Sequence, residues 1–458
     1  MTNTPKRASV RAFVRAVVLA ACCALVLGTG VDPARAAAFM HATLISSEPA
    51  ADAVLARAPR RVRLVFSEPI EPTLARVSLI AQDGDVQPLA PTGDPTDVHA
   101  LLAPTDSLAM GAYRVAWRIV SADGHPVQGS FVFFVGGADT ASMRAEPPPV
   151  PPGALSSGAA PRRPSVAGAP LVPALLRGLA LGALAALGGV LLFLAITGAG
   201  RASRPTRLAT WLAVATPVLL IAHALAWIVH VSPDHALSAA SASTALRIAV
   251  GRVELWRVGF SLLALWALVL ARRPRLALLF AAGALIASGD AGHSAAISPA
   301  WMFPSKALHL VGVSAWLGGL LWLLVRERDD LPRFAAEAGR VSAIALAAAI
   351  VVAASGVVQA LIVLPTPADL FRSAYGAITL AKVAGFGGLI AFGAYHRYRV
   401  LPRLTHDGTP LTLRRSVSRE VTLMCIVVLL GGLLAYVPPP AAHHSATMHH
   451  SATHGSMP

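Results

Sequence analysis

The chain has 458 residues, of which 55% are hydrophobic and 13% charged, with a formal net charge of +15. That balance is too apolar for an ordinary soluble protein and assigns much of the chain to a lipid bilayer. The basic residues fall in short clusters between apolar runs, a membrane-topology pattern that excludes nucleic acid as a partner, and the absence of a G-x-x-x-x-G-K-[ST] loop excludes an ATP-driven pump of the usual kind.

In chain order, residues 1–40 read as a secretory signal peptide. Lys6, Arg7, Arg11 and Arg15 precede an apolar stretch over 16–28, and Ala36, Ala37 and Ala38 follow. The run is shorter than the ~20 residues that a membrane span needs. Cys22 and Cys23 lie in this leader and Cys425 lies in a late apolar run, so no disulfide is expected in the mature chain.

Residues 41–136 predict a small all-β domain, a sandwich or barrel. Alternating or β-branched runs occupy 61–66, 76–82, 98–102, 111–120 and 129–135, punctuated by Asp83-Gly84-Asp85 and Pro91-Thr92-Gly93-Asp94. Two residues apart, Asp123 and His125 emerge on one face of an extended segment, as a mixed oxygen and nitrogen pair able to ligate a metal ion. The same Asp-Gly-His run also fits a tight turn with glycine at a positive-φ position.

Three segments of this region, His41-Ala42-Thr43-Leu44-Ile45-Ser46-Ser47-Glu48-Pro49-Ala50, Phe66-Ser67-Glu68-Pro69, and Tyr113 through Val127 with Ser121-Ala122-Asp123-Gly124-His125-Pro126 at its end, resemble the CopC family of periplasmic copper-binding proteins. The resemblance implies an Ig-like or cupredoxin-like sandwich. It also implies a Cu(II) site made by His41, Asp123 and His125, with Glu68 as a further candidate. Cleavage after Met40 makes His41 the first mature residue; cleavage after Ala38 leaves Phe39-Met40-His41, whose amine, two backbone nitrogens and imidazole can form a square-planar set. The family's second, methionine-rich Cu(I) site is not expected, because Met110 is the one methionine in the body of the domain.

Residues 137–170, rich in Pro, Ala, Gly and Ser, read as a semi-rigid linker. Beyond it, 171–437 predicts an all-α polytopic membrane domain of about eight spans: 171–197, 208–231, 253–271, 276–293, 305–325, 341–364, 378–395 and 417–437. Arginines crowd the loops after the first, third, fifth and seventh, which makes those loops cytoplasmic and both termini extracytoplasmic in a bacterial inner (plasma) membrane. On that topology His230, His235, His293 and His309 gather near the outer surface, and His223 lies seven residues before His230 on one helical stripe. Ionisable groups in spans are costly and usually face a pathway, so these five histidines form a candidate membrane metal pathway.

Gly292-His293-Ser294-Ala295-Ala296, Leu308-His309-Leu310-Val311-Gly312-Val313-Ser314-Ala315-Trp316-Leu317-Gly318-Gly319-Leu320, and Tyr375-Gly376 with Lys382 resemble the CopD family of copper-resistance membrane proteins. Trp316 falls seven residues after His309 and is expected on the same helix face. Lys382, Glu254 and Arg257 are expected to pair with one another as structural charges.

Residues 438–458 form a His/Met-rich tail, disordered by composition, in which His443, His444, Met448, His449, His450 and His454 are candidate metal ligands. Together the two resemblances imply a copper-binding and copper-transport protein, not an enzyme. Copper is Cu(II) in the β domain and Cu(I) or Cu(II) in the membrane; its partners are copper ions, the lipid bilayer and periplasmic copper carriers. The alternatives are a membrane redox protein holding haem or copper, and copper sequestration without transport.

Overall fold

A computed structural model describes residues 42, 44–120, 124, 126–136, 170–197, 204–232, 235–290, 299–326, 330–364, 366–404 and 410–437. Its N-terminal part contains the strands β1 (Leu44–Glu48), β2 (Val54–Leu55), β3 (Arg61–Phe66), β4 (Arg76–Ala81), β5 (Val86–Leu89), β6 (Thr92–Asp94), β7 (Asp97–Pro104), β8 (Gly111–Val120) and β9 (Pro126–Val135). They form one sheet in the order β1-β3-β7-β6 and a second in the order β2-β9-β8-β4-β5.

The period-two pattern explains the layering. In β3, Val62, Leu64 and Phe66 are buried while Arg61 is exposed, and in β4, Val77 and Leu79 are buried. These side chains meet Leu101 of β7, Val115, Trp117 and Ile119 of β8, and Phe131 and Phe133 of β9 in one core between the sheets. Trp117 packs edge-on to Phe66, with ring centroids 5.1 Å apart, and stands directly opposite Gly129, where a Cβ would lie 2.5 Å from the indole. Strands β3 and β8 have the expected bounds; β4, β7 and β9 differ from expectation by one to three residues at an end. The short strands β1, β2, β5 and β6 escaped the periodicity because two to five residues carry too little alternation to register.

The helical part comprises α1 (Leu171–Thr197), α2 (Arg204–Val231), α3 (Ala239–Arg247), α4 (Ala249–Val269), α5 (Pro274–Ala287), α6 (Pro299–Val325), α7 (Leu331–Val363), α8 (Asp369–Arg372), α9 (Ala374–Tyr395) and α10 (Pro410–Leu434). Among the described residues six helices, α1, α2, α6, α7, α9 and α10, are long and apolar enough to cross a membrane. The expected count of about eight included two more that pack into the same bundle. Of these, α4 carries Arg252, Glu254 and Arg257, and α5 is 14 residues long, short of a full span.

Without a hydrophobic drive between helices in lipid, close backbone approach decides which ones pair. At the crossing of α1 and α6, a Cβ on Gly318 would lie 2.2 Å from the backbone of Gly189, and one on Gly189 would lie 1.9 Å from the Ser314 carbonyl. Ser314 Oγ donates to Ala185 O at 2.8 Å across the same seam. The Trp-Leu-Gly-Gly run therefore has a packing role at Gly318.

Candidate functional site

The β domain meets the helical bundle at Gly124 of the Asp-Gly-His run and at Arg118 of β8. Gly124, the middle residue of that run, has φ +81°, and a Cβ there would lie 2.9 Å from Val250 at the start of α4. Only glycine meets both conditions cheaply. The Trp227 indole of α2 donates to the Gly124 carbonyl at 3.3 Å. Beside it, Arg118 of β8 donates to the carbonyls of His230 at 2.9 Å and Ser232 at 3.0 Å, at the carboxyl end of α2. A helix C-terminus has unsatisfied carbonyls and a partial negative charge, so a guanidinium is a fitting partner. Burial first, and the neighbouring Arg76 second, push the Arg118 pKa down. Leu74 and Val120 of the β domain complete the contact in one apolar cluster with Trp227, Ile228, Val231, Ala245 and Val250.

Trp227 lies between two of the candidate histidines on one face of α2: His223 is one turn below it and His230 one turn above. His223 is buried, at 1% exposure. Its Nδ1 is 3.4 Å from Glu254 Oε2, and its Nε2 is 3.1 Å from the Tyr436 hydroxyl. With Nδ1–H directed at the carboxylate, Nε2 accepts from the tyrosine. Both ring nitrogens are thus engaged, and a metal would reach Nε2 only after Tyr436 turns away. The His230 ring packs edge-on to Tyr436 with centroids 5.9 Å apart, so the same tyrosine touches both imidazoles. Glu254 is also paired with Arg257 one turn further along α4. Arg257 is fully buried, and its Nε and Nη2 have no hydrogen-bond partner among the described residues.

His309 lies on a different seam, between α6 and α7. Ser355 of α7 gives its hydroxyl proton to the Val351 carbonyl at 2.6 Å, so at 3.0 Å from His309 Nδ1 its oxygen acts as acceptor. The ring then carries its proton on Nδ1 and its lone pair on Nε2, the form of imidazole that binds a metal. Ser305, one turn before His309, donates to the Ser355 carbonyl at 3.0 Å.

The expected three-way pairing of Lys382, Glu254 and Arg257 is corrected in one member. Glu254 and Arg257 pair, but Lys382 of α9 points to α10, where a Cβ on Gly431 would lie 3.7 Å from Nζ. Trp316 also has a partner that sequence spacing could not disclose: its indole N–H donates to Glu420 Oε1 at 3.0 Å, 104 residues away. His235 is exposed in the turn after α2 at φ +51° and joins none of these groups among the described residues. Glu68 is buried at 4% exposure, just past the end of β3. His41, Asp123, His125 and His293 lie outside the described residues, as do the leader, residues 137–169, and His443, His444, Met448, His449, His450 and His454 of the tail.

Sequence reasoning passed over Tyr436, Ser355 and Glu420. Tyr436 falls in a turn after an apolar helix, and Ser355 and Glu420 stand alone among apolar or basic neighbours, so only their contacts mark them.

With this geometry in view, comparison with known proteins is specific. Residues 44–136 match the CopC domain, and residues 335–434 match Copper resistance protein D. The second match includes Tyr375, Gly376 and Lys382, whereas the segments around His293 and His309 precede it. The copper transport protein CutJ of Bacillus subtilis (strain 168) is 26% identical over 390 residues, covering 78% of this chain and 68% of that protein. Copper resistance protein C of Xanthomonas campestris pv. juglandis is 35% identical over 111 residues, covering 22% of this chain and 85% of its own length. The crystal structure of CopC from Methylosinus trichosporium OB3b aligns with 30% identity and a TM-score of 0.20, over 21% of this chain and 93% of that one. The chain belongs to the copper-resistance family, joining a CopC domain and a CopD domain in one membrane-spanning polypeptide.

Proposed function

We propose that this protein carries copper across the membrane, with the β domain as its receiving end. Copper is the cargo: His41, Asp123 and His125, with Glu68 of the Phe66-Ser67-Glu68-Pro69 segment as a further ligand, take Cu(II), which then passes to His230 and His223 on α2. The observation that carries this reading is the bond from Trp227 to the Gly124 carbonyl, because it ties the middle of the Asp-Gly-His run to the α2 face that bears both histidines. Tyr436, in contact with both rings, would be displaced as the ion moves from one to the other. His309, with its Nε2 lone pair, and His293 would supply the next ligands as Cu(I) or Cu(II), and His235 and the tail histidines would recruit ions from outside.

The membrane would be the bacterial inner membrane, with the β domain and the tail extracytoplasmic and the direction inward. In support, α4 starts against the β domain and ends before Arg272, Arg273 and Arg275, so this basic cluster lies at the far end of the bundle, where the positive-inside pattern would have the cytoplasm.

The test is cellular copper content at controlled external copper, with and without the protein and with His309→Ala or His223→Ala. Import through these residues requires lower copper in the deletion and in both variants. Unchanged copper would overturn transport and leave sequestration, and a Soret band in the visible spectrum of the purified protein would move the membrane redox reading ahead.

A further inference from the structure

At the end of the bundle away from the β domain, a carboxylate and an imidazole are buried together. Glu420 of α10 is 1% exposed and His396, at the end of α9, is 7% exposed. Glu420 Oε1 accepts from the Trp316 indole at 3.0 Å. Its Oε2 stands 3.0 Å from His396 Nδ1, yet no in-line donor reaches that oxygen among the described residues. The other ring nitrogen, Nε2, is 2.7 Å from Ser416 Oγ, one turn before Glu420. His396 opens a π-helical turn, His396–Val400, a wide turn of the kind that recurs at functional sites.

The surrounding charges are directed elsewhere. Arg326 and Arg333 are held by Glu337, and Arg397 donates to Ser342 at 3.5 Å. Arg415 and Arg419, the neighbours of Glu420 on α10, are exposed, as is Tyr395 beside His396, and Arg340 of α7 is half-buried. The inner half of α1 carries no ionisable group. His396 is therefore the one group in ion-pair contact with Glu420 among the described residues.

A buried carboxylate with one unsatisfied oxygen is costly, and so is a buried imidazolium without a counter-charge. The pair is neutral when it holds one proton, on Oε2 or on the ring, and moving the proton between them across 3.0 Å changes no net charge. From this geometry we infer that Glu420 and His396 form a proton-binding site that loads and releases a single proton at the end of the bundle remote from the β domain. Its use, as the proton counterpart to copper movement, rests on the transport reading above; its existence does not.

The test is infrared difference spectroscopy of the full-length protein in detergent or lipid during pH steps, with tryptophan fluorescence recorded in parallel. Wild type should show a carboxylic-acid carbonyl band that titrates together with a tryptophan signal. Glu420→Gln should remove the band, and Trp316→Phe should remove the coupled fluorescence change while keeping the band. In His396→Gln the band should no longer follow the wild-type pH profile, because its one ion-pair partner is gone. Should Glu420→Gln fail to elute as folded protein, the His396→Gln profile decides. No titrating band in folded wild type, a band that survives Glu420→Gln, or an unchanged pH profile in His396→Gln overturns the site, whatever the copper measurements show.

Discussion

The indole nitrogen of Trp227 and the carbonyl of Gly124 are 3.3 Å apart, although 103 residues separate them in the chain. This bond joins the two domains at the residue between Asp123 and His125. Arg118 reinforces it from the next strand by capping the carboxyl end of α2.

Gly124→Ala should loosen this junction. An L-residue at φ +81° costs about 1 kcal/mol relative to glycine, and the added methyl meets Val250 at 2.9 Å. Arg118→Met should act in the same direction by leaving the His230 and Ser232 carbonyls uncapped, at about 1.5–3 kcal/mol for a bond to a charged group. Hydrogen-exchange mass spectrometry should show faster exchange at 118–120 and 249–257 in both variants, with the β-domain core at 62–66, in the other sheet, unchanged. Equal exchange in variant and wild type would mean that the junction contributes nothing.

Glu254→Ala should destabilise the bundle by about 3–5 kcal/mol, because Arg257 is left buried without its counter-charge. The double variant Glu254→Leu with Arg257→Met should recover much of that loss, since neither charge remains to be solvated. Thermal unfolding of the detergent-solubilised protein measures both; a double variant no more stable than the single one would refute the assignment.

Gly318→Ala should prevent assembly of the bundle or cost about 3 kcal/mol or more, since the new Cβ would lie 2.2 Å from the Gly189 backbone, which cannot yield as a flexible side chain would. Gly387→Ala, with nothing within 4 Å of the new atom, should be tolerated or slightly stabilising. Yield and monodispersity on size-exclusion chromatography separate the two.

The β domain should lose stability in acid through Asp94 and Asp97. Hydrogen bonds from Thr96 first, and then Arg63, hold the Asp94 carboxyl below its ordinary 3.8, and the His99 backbone N–H, with Arg63 contributing less, does the same for Asp97. A carboxylate whose folded pKa is depressed stabilises the fold above its unfolded pKa, and that stability is lost as pH falls through the folded value. The contribution is therefore complete at neutral pH and disappears below about 3.8. In Asp94→Asn with Asp97→Asn, this part of the acid dependence should vanish; a denaturation profile with an unchanged acid limb would count against it.

What the sequence determined by itself was set by local periodicity and composition. The alternation in β3 and β8 predicted those strands to the residue, because one face of each is buried in the same core. The apolar runs marked the helices and the Glu254–Arg257 pair was expected, although composition alone could not show that α5 stops short of a span. The two family resemblances, one of them carried in part by the Asp-Gly-His run, pointed to copper before any geometry was known. Tertiary structure decided which distant groups meet. Tyr436 closes over His223 from 213 residues away, Ser355 fixes the His309 tautomer from 46 residues away, and Glu420 receives the Trp316 indole from 104. Such partners carry no period and no neighbouring motif, whether in a helix like Ser355 and Glu420 or in a turn like Tyr436, and only packing of the bundle brings them together. That packing depends on backbone contact at Gly189 and Gly318, which a sequence records only as two small residues in two separate helices.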